Sequence, residues 1–319
     1  IGGELCFQIA ALNPNKLLLI DNSEPSLYSI NFELKKLKQD KIKIKTFLGD
    51  ARDENFLKEI FYKENVEVIF HAAAYKHVPL VEENPVMGIH NNVFSTISIA
   101  KAAIETDVKK VLLISTDKAV RPSNIMGASK RLSELVFKSF SQKSSKYNLK
   151  KNGLKSKTIF TMVRFGNVLG SSGSVVPLFL KQISEGGPIT LTDKNMYRYF
   201  MSIKEAAQLV IQSVALASGG EVFILDMGKP VKILYLAEQM IKFSGLTIKN
   251  KQNPEGDIEI TTIGSRPGEK LSEELLIKGE FVKTDHPLIY KEDIESIIPD
   301  NFWELIKSLK ESIKLNDKI

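Results

Sequence analysis

The first half of the chain alternates short apolar runs with stretches whose apolar residues recur every three to four positions. Runs at 16–20 (KLLLI), 42–47, 66–70 (VEVIF), 111–115 (VLLIS) and 158–164 predict strands. Between them, 4–12, 54–63, 85–106 and 124–142 carry the spacing of amphipathic helices. Strand–helix–strand repetition predicts parallel βαβ units covered on both faces. Right-handed crossovers then arrange them as an α/β, doubly wound parallel sheet. Past residue 164 the texture changes. Residues 166–187 are rich in Gly and Ser, 201–216 return to a helical pattern, 222–225 read as a strand and 234–243 are amphipathic. The expected organisation is a sheet domain over 1–165, to which 201–225 return. A smaller, interleaved α/β substrate domain takes 166–200 and 226–319. The tail sets Phe302, Leu305, Ile306, Leu309 and Ile313 on one helical face, a core or interface stripe. The Ser- and Lys-rich stretch 139–157 reads as a surface loop.

Composition narrows the function classes. The formal charge of +6 suits an anionic ligand, but scattered lysines of this kind are equally a solvated surface. No basic stripe carries interleaved aromatics, so a nucleic-acid partner is not expected. The lone Cys6 excludes a disulfide framework and a Cys-type zinc site and favours a reducing compartment. The four histidines show no metal-ligand spacing, and His71, ending an apolar run, reads as structural. With no apolar stretch of spanning length and no signal peptide, the expectation is a cytoplasmic chain. Any membrane association would come through a region outside it.

In a doubly wound sheet the ligand lies beyond the carboxyl ends of the strands, so the residues following each strand are the ones to inspect. Asp21 and Asn22 follow the first predicted strand. A carboxylate there can accept from an adenosine ribose and repels a 2′-phosphate, favouring NAD over NADP; an acid in this place is also a common turn former. Asp50 and Ala51 follow the second strand as adenine contacts. Ala72, Ala73 and Ala74 follow the third, small enough for a dinucleotide to approach the backbone. At the amino end, Gly2 and Gly3 look like the last part of a Rossmann-type glycine turn. The strand normally preceding that turn is not in the sequence, so a fragment of a longer protein is expected.

Ser115-Thr116-Asp117-Lys118 follows an apolar strand, and Met126-Gly127-Ala128-Ser129-Lys130 opens a helix. Met126 and Lys130, four apart, share a helix face. With these residues the chain resembles the extended short-chain dehydrogenase/reductases, whose Tyr-x-x-x-Lys pair and Ser/Thr surround the nicotinamide. The resemblance puts Ser115 and Lys130 on the cofactor, Lys130 at the nicotinamide ribose, and places Met126 at the tyrosine position, where a thioether transfers no proton. STDKAV, RPSN and MGASKR together resemble the UDP-N-acetylglucosamine 4,6-dehydratases of polysaccharide biosynthesis, the Met marking the branch that retains configuration at C5. The runs 164–175, 188–190, 196–201 and 264–271 match that family too, so the likeness extends from Gly2 to about residue 277.

The resemblance implies a UDP-sugar substrate, NAD as cofactor and a homo-oligomer. Lys118 becomes the base at C5 and Asp117 the acid at C6. The resemblance leaves open which group takes the C4 hydroxyl proton; since Met126 cannot serve, Asp117 is the candidate, with Thr116 relaying or orienting. A base lysine must be neutral, and Lys130 together with the nicotinamide charge is expected to push the Lys118 pKa down. Arg198 and Arg266 are expected to clamp the diphosphate bidentately, the alternative being surface ion pairs. Asn167, Ser174, Val175, Pro188, Thr190, Met201 and Glu269 line the substrate side in the same family segments, and Lys76, His77 and Val78 are sugar or nicotinamide-side contacts. Asn91 and Asn92 are either such contacts or helix packing. The rivals are a C5-inverting dehydratase, a 4-epimerase, and a non-catalytic dinucleotide or nucleotide-sugar sensor. An epimerase of this fold needs the tyrosine, and a sensor has no use for Asp117, Lys118 and Lys130 together.

Overall fold

Each apolar run of the first half forms a strand in the computed structural model, which describes residues 1–37, 42–142, 153, 155–276, 281–293 and 297–315. These strands are β1 (Lys16–Asp21), β2 (Lys43–Leu48), β3 (Val68–His71), β4 (Lys110–Ile114) and β5 (Ile159–Arg164). Beyond them come β6 (Asn167–Val168), β7 (Ile189–Leu191), β8 (Tyr197–Arg198), β9 (Phe200–Met201) and β10 (Val222–Leu225). The last are β11 (Val231–Lys232), β12 (Ile248–Lys249), β13 (Ile258–Thr262), β14 (Phe281–Lys283) and β15 (Ile289–Glu292). The helices are α1 (Gly2–Ala11), α2 (Glu24–Lys36), α3 (Glu54–Glu64), α4 (Val78–Glu83), α5 (Pro85–Ile89) and α6 (Ser95–Glu105). They continue with α7 (Ile125–Ser141), α8 (Val175–Ser184), α9 (Ile203–Leu216), α10 (Ile233–Phe243) and α11 (Phe302–Lys314).

A six-stranded sheet runs in the order β14-β15-β10-β5-β4-β3. Its strands β3, β4, β5 and β10 are parallel, and β15 and β14 close one edge antiparallel. Alternate residues of β4 enter opposite cores. Val111 and Leu113 face α3, α6 and α7, whereas Leu112 faces α1 and α9. Burial on both sides is why this strand is a continuous apolar run rather than an alternating one. β1 and β2 pair in parallel as a separate ladder backed by α1 and α2. A third layer joins α8 and α10 to the small sheet β12-β13-β7 around Phe179, Ile183, Ile189 and Ile241.

Three expectations change. The assignment of all of 226–319 to the smaller domain is corrected, because β15 pairs with β10 in the large sheet and Phe302 and Ile306 of α11 lie in its core. The single helix expected over 85–106 is broken by a π-helical turn at His90–Phe94. Helix α2 is additional; Ser23 caps it by accepting from the Ser26 amide, with a proline in its first turn. Residues 143–152 of the predicted surface loop lie outside the described residues.

Candidate active site

The ladder between β4 and β5 continues past its last paired residues into the segment Ser115–Lys118. The Ser115 amide donates to the Val163 carbonyl at 2.8 Å and the Asp117 amide to the Phe165 carbonyl at 3.1 Å. Thr116 then caps a 3₁₀ turn over Asp117–Ala119. The Asp117 side chain is buried, and its Oδ1 accepts from Thr116 Oγ1 at 2.9 Å and from Lys118 Nζ at 3.1 Å. Its Oδ2 is buried and meets no hydrogen-bond partner among the described residues. An unpaired buried carboxylate oxygen is costly, and such atoms concentrate where a substrate or proton must be received. Lys118 Nζ also reaches Asn167 Oδ1 at 3.5 Å and Glu273 Oε1 at 3.6 Å. Burial alone would lower the Lys118 pKa, but the charges of Asp117 and Glu273 outweigh it and hold the ammonium above its ordinary range. The expected depression by Lys130 is thus corrected: the dominant neighbours of Lys118 are two carboxylates.

Helix α7 abuts this turn because Asn124 accepts from the Gly127 amide at 2.8 Å and Gly127 lacks a side chain. A Cβ there would stand 2.3 Å from the Lys118 carbonyl oxygen. Met126 and Lys130 are both buried on the face this creates. Burial lowers the Lys130 pKa to about 8, and among the described residues no hydrogen bond reaches its ammonium. One turn on, Glu134 takes a bidentate pair from Arg164, Nε to Oε1 at 2.8 Å and Nη2 to Oε2 at 2.7 Å. Ser115 Oγ donates to Glu134 at 2.6 Å, and Arg164 Nη1 donates to Glu292 at 2.9 Å. Desolvation would raise the Glu134 pKa, but Arg164 reverses this and it falls to about 2. Sequence reading placed Ser115 on the cofactor; its hydroxyl is engaged in this buried network instead.

The remaining residues expected on the cofactor side fall into two groups. Gly2, Asp21, Asn22, Asp50, Ala51, Ala72, Ala73 and Ala74 line one cavity of about 1430 Å³ beside β1 and β3. Within it Asp21 Oδ1 accepts from the Ser23 amide at 2.8 Å, making a local turn. Asp50 is ion-paired with Arg52, whose hydrogen bonds hold its carboxyl below the usual range. Asn92 is not in this lining. It sits in the π-helical turn, where Oδ1 accepts from the Tyr75 amide at 2.7 Å and Nδ2 donates to the Tyr75 carbonyl and to Ser129 Oγ. Its amide fastens the loop after β3 to α7, which is the packing role. His71 is buried with Nε2 against Thr96 Oγ1 at 3.0 Å, and burial drops its pKa to about 3.

On the substrate side, Lys76 Nζ donates to the Ser172 carbonyl at 2.9 Å, joining the Lys76-His77-Val78 segment to the Gly/Ser loop that ends at Ser174 and Val175. The hydroxyl of Ser174 is buried and meets no partner among the described residues. Thr190 lies on β7, its hydroxyl accepting from Gln182 at 2.8 Å, next to the exposed Pro188. Met201 packs in the core beneath β9. Arg198 is buried and partly committed, with Nη1 donating to the Tyr197 and Leu271 carbonyls and Nη2 3.7 Å from Glu269. The Glu269 carboxylate also accepts from the Arg266 amide at 3.3 Å, and the Arg266 side chain is exposed. The structure therefore ties Arg198 on β8 to Glu269 on the segment after β13, which also carries Arg266. Glu273, buried on that segment against Lys118, was missed by sequence reading. Among the described residues no cluster of His, Cys, Asp or Glu is placed to hold a metal, and no helix is long and apolar enough to cross a membrane.

The chain is similar to known proteins over most of its length. A family model described as polysaccharide biosynthesis protein matches residues 1–293. The capsular polysaccharide biosynthesis protein CapD of Staphylococcus aureus is 48% identical over 281 residues, covering 88% of this chain and 44% of that protein. The chain thus spans less than half the length of that relative. A UDP-glucose 4-epimerase of Rickettsia rickettsii is 36% identical over 244 residues, 76% of this chain and 65% of its own. Among solved structures, Pen from Bacillus thuringiensis superposes with a TM-score of 0.74 at 34% identity, covering 86% of this chain and 81% of that one.

Proposed function

The chain belongs to the polysaccharide biosynthesis protein family, and from that premise we propose that it carries out the 4,6-dehydration of a nucleotide sugar. The substrate is UDP-N-acetylglucosamine or a close UDP-sugar, the cofactor is NAD, and configuration at C5 is retained. One observation carries this reading. A buried aspartate, one carboxylate oxygen of which meets no hydrogen-bond partner among the described residues, stands 3.1 Å from a part-buried lysine ammonium, while the residue at the tyrosine position is a methionine that moves no proton. Two proton-transfer groups in contact are what an elimination needs beyond simple oxidation.

The residues present fit a dinucleotide. The buried Lys130 ammonium has no acceptor among the described residues, and a ribose hydroxyl would supply one. Small side chains at Ala72–Ala74 and Gly2 leave the cavity wall open to close approach, with the Gly2 Cβ position 3.9 Å from Ala72 Cβ. Lys130 and the cavity residues would hold the cofactor. Bound there, NAD supplies the chemistry of taking a hydride from sugar C4 and returning one to C6.

The chain's own residues manage the protons. Asp117 Oδ2 receives the C4 hydroxyl proton, and Thr116 fixes Oδ1 so that Oδ2 faces the substrate. Lys118, as a neutral amine, removes the proton at C5, made acidic by the new C4 ketone. Asp117 then gives its proton to the departing C6 hydroxyl, which leaves as water. Lys118 returns its proton to C5 from the same face. Arg266, Arg198 and the Gly/Ser loop hold the diphosphate, and the layer built from α8, α10 and the small sheet forms the substrate side.

The test is incubation with UDP-N-acetylglucosamine and NAD⁺, read by mass spectrometry for the loss of one water. In deuterated water, NMR of the product reports the C5 configuration. Unchanged substrate overturns the dehydration reading. A 4-epimerase, favoured by the Rickettsia relative's name, would leave the mass unaltered and invert C4. An Asp117→Asn variant is expected to slow transient NADH formation by about 100-fold or more; a normal rate removes Asp117 from the C4 step.

A further inference from the structure

Lys118 must change its charge during the reaction proposed above, and the residue that lets it do so comes from a distant part of the chain. The segment after β13 is strapped across the reactive turn at several points. Ser123 Oγ and Asn124 Nδ2 donate to the Gly268 carbonyl at 2.7 and 3.1 Å. Lys270 Nζ donates to the Val120 carbonyl at 2.9 Å, and Arg121 pairs with Glu274 at 2.9 Å. Gly268 is suited to this crossing, because at φ +74° a Cβ would meet the Ser123 carbonyl oxygen at 2.7 Å. These contacts deliver Glu273 into the interior, its side chain 4% exposed and its Oε1 3.6 Å from Lys118 Nζ.

We propose that Glu273 is the positioning residue of Lys118, holding its ammonium at the reaction centre and accepting its proton when the amine must act as a base. This rests on the dehydration reading. Before oxidation, the Lys118 ammonium stands between two carboxylates, Asp117 from its own turn and Glu273 from the strap. Arg198 on β8 opposes them, and the neutral Asn167 lies on β6. When Asp117 Oδ2 receives the C4 hydroxyl proton, that carboxylate is neutralised and Glu273 is the remaining anion beside Lys118. An N–H bond of the ammonium then breaks as an O–H bond forms on Glu273, leaving a neutral amine and a neutral acid. The amine takes the C5 proton and later returns it. Glu273 finally gives its proton back, so no proton is gained or lost over the cycle.

The experiment compares the wild-type chain with Glu273→Gln and Glu273→Asp, each first checked for its far-UV circular dichroism and thermal midpoint. Competitive labelling with acetic anhydride across pH, read by peptide mass spectrometry, follows the Lys118 amine without substrate, with Lys270 as an internal control. The Lys118 side chain is 18% exposed and within reach of the reagent. In Glu273→Gln the labelling midpoint of Lys118 is expected to fall by about one pH unit or more, while Glu273→Asp stays near wild type. A second measurement separates the steps, with UDP-N-acetylglucosamine and NAD⁺ in deuterated water. C5 exchange in Glu273→Gln should drop by about 100-fold while transient NADH formation stays within a few fold of wild type. An unmoved labelling midpoint in a folded Glu273→Gln variant overturns the proposal. So does an equal loss of both steps, the mark of a merely structural role. If the wild type neither exchanges C5 nor loses water, the dehydration reading fails, whereas the labelling result still decides whether Glu273 governs Lys118.

Discussion

Replacing Arg164 with methionine should destabilise the chain by about 3 kcal/mol at pH 7.5, and the penalty should shrink in acid. Arg164 is fully buried and gives Glu134 two hydrogen bonds and Glu292 one. Methionine keeps the length and flexibility of the stem, so little of the loss comes from an empty cavity. What is lost is the counter-charge. The fall of the Glu134 pKa from 4.5 to about 2 corresponds to about 3 kcal/mol of folded-state preference for the carboxylate. Arg131 at 2.9 Å and Ser115 remain to carry part of it. Glu292, in turn, keeps only Lys138 at 3.9 Å among its charged partners within the described residues. Breaking one side of a buried ion pair costs about 3–5 kcal/mol, so the two estimates agree. The sign follows from the depressed pKa. Stability from the Glu134 carboxylate is fully present above about pH 4.5 and is lost as pH falls toward 2. The gap between wild type and Arg164→Met should therefore narrow by about 2 kcal/mol between pH 7.5 and pH 3. Urea unfolding at both pH values, followed by circular dichroism and by the fluorescence of Trp303, measures it. A gap below about 1 kcal/mol at pH 7.5, or one that does not close in acid, refutes the reasoning.

Two further outcomes follow from buried groups. His71, with its pKa lowered to about 3, is neutral when folded and gains a proton on unfolding. Its contribution is therefore lost as pH falls below 6.5, about 2 kcal/mol between pH 8 and pH 5; a His71→Gln variant should show a flatter urea-midpoint profile over that range, and an unchanged slope counts against it. Gly127→Ala exchanges a poor helix former for a good one, worth about 1 kcal/mol in a free helix. A Cβ 2.3 Å from the Lys118 carbonyl oxygen should reverse that sign and lower stability by about 2 kcal/mol, and a raised thermal midpoint would show that the turn yields easily.

The strands and most helices were legible because their signals are local: a continuous apolar run for β4, a 3.6-residue rhythm for α3 and α7. The break in the helix over 85–106 was not, since Asn91 and Asn92 occupy positions an ordinary helix tolerates. What breaks the regular pattern there is accompanied by hydrogen bonds to Tyr75 and Ser129, 17 and 37 residues away. Helix α2 was overlooked because its apolar face is thin, with only Leu27 and Leu34 buried. The candidate site residues Thr116, Asp117, Lys118, Met126 and Lys130 lie within fifteen positions and could be read as a unit. Glu273 meets Lys118 across 155 residues, and Glu292 meets Arg164 across 128. A carboxylate in a charged stretch carries no mark of which distant cation it will face, so these pairings emerge only once the chain is folded. The same holds for Ser115, whose hydroxyl turned inward to Glu134 rather than outward.

The amides of Ser115 and Asp117 extend the β4–β5 ladder, so the 3₁₀ turn carrying the proposed acid–base pair is pinned to the ends of the central strands. Amides in such a place exchange with solvent only when the whole sheet opens. The two side chains of that turn therefore inherit the rigidity of the slowest-exchanging part of the molecule. On the proposed mechanism the sheet holds their spacing, and divergence in substrate choice would be written elsewhere, in the Gly/Ser loop, the small sheet and the strap.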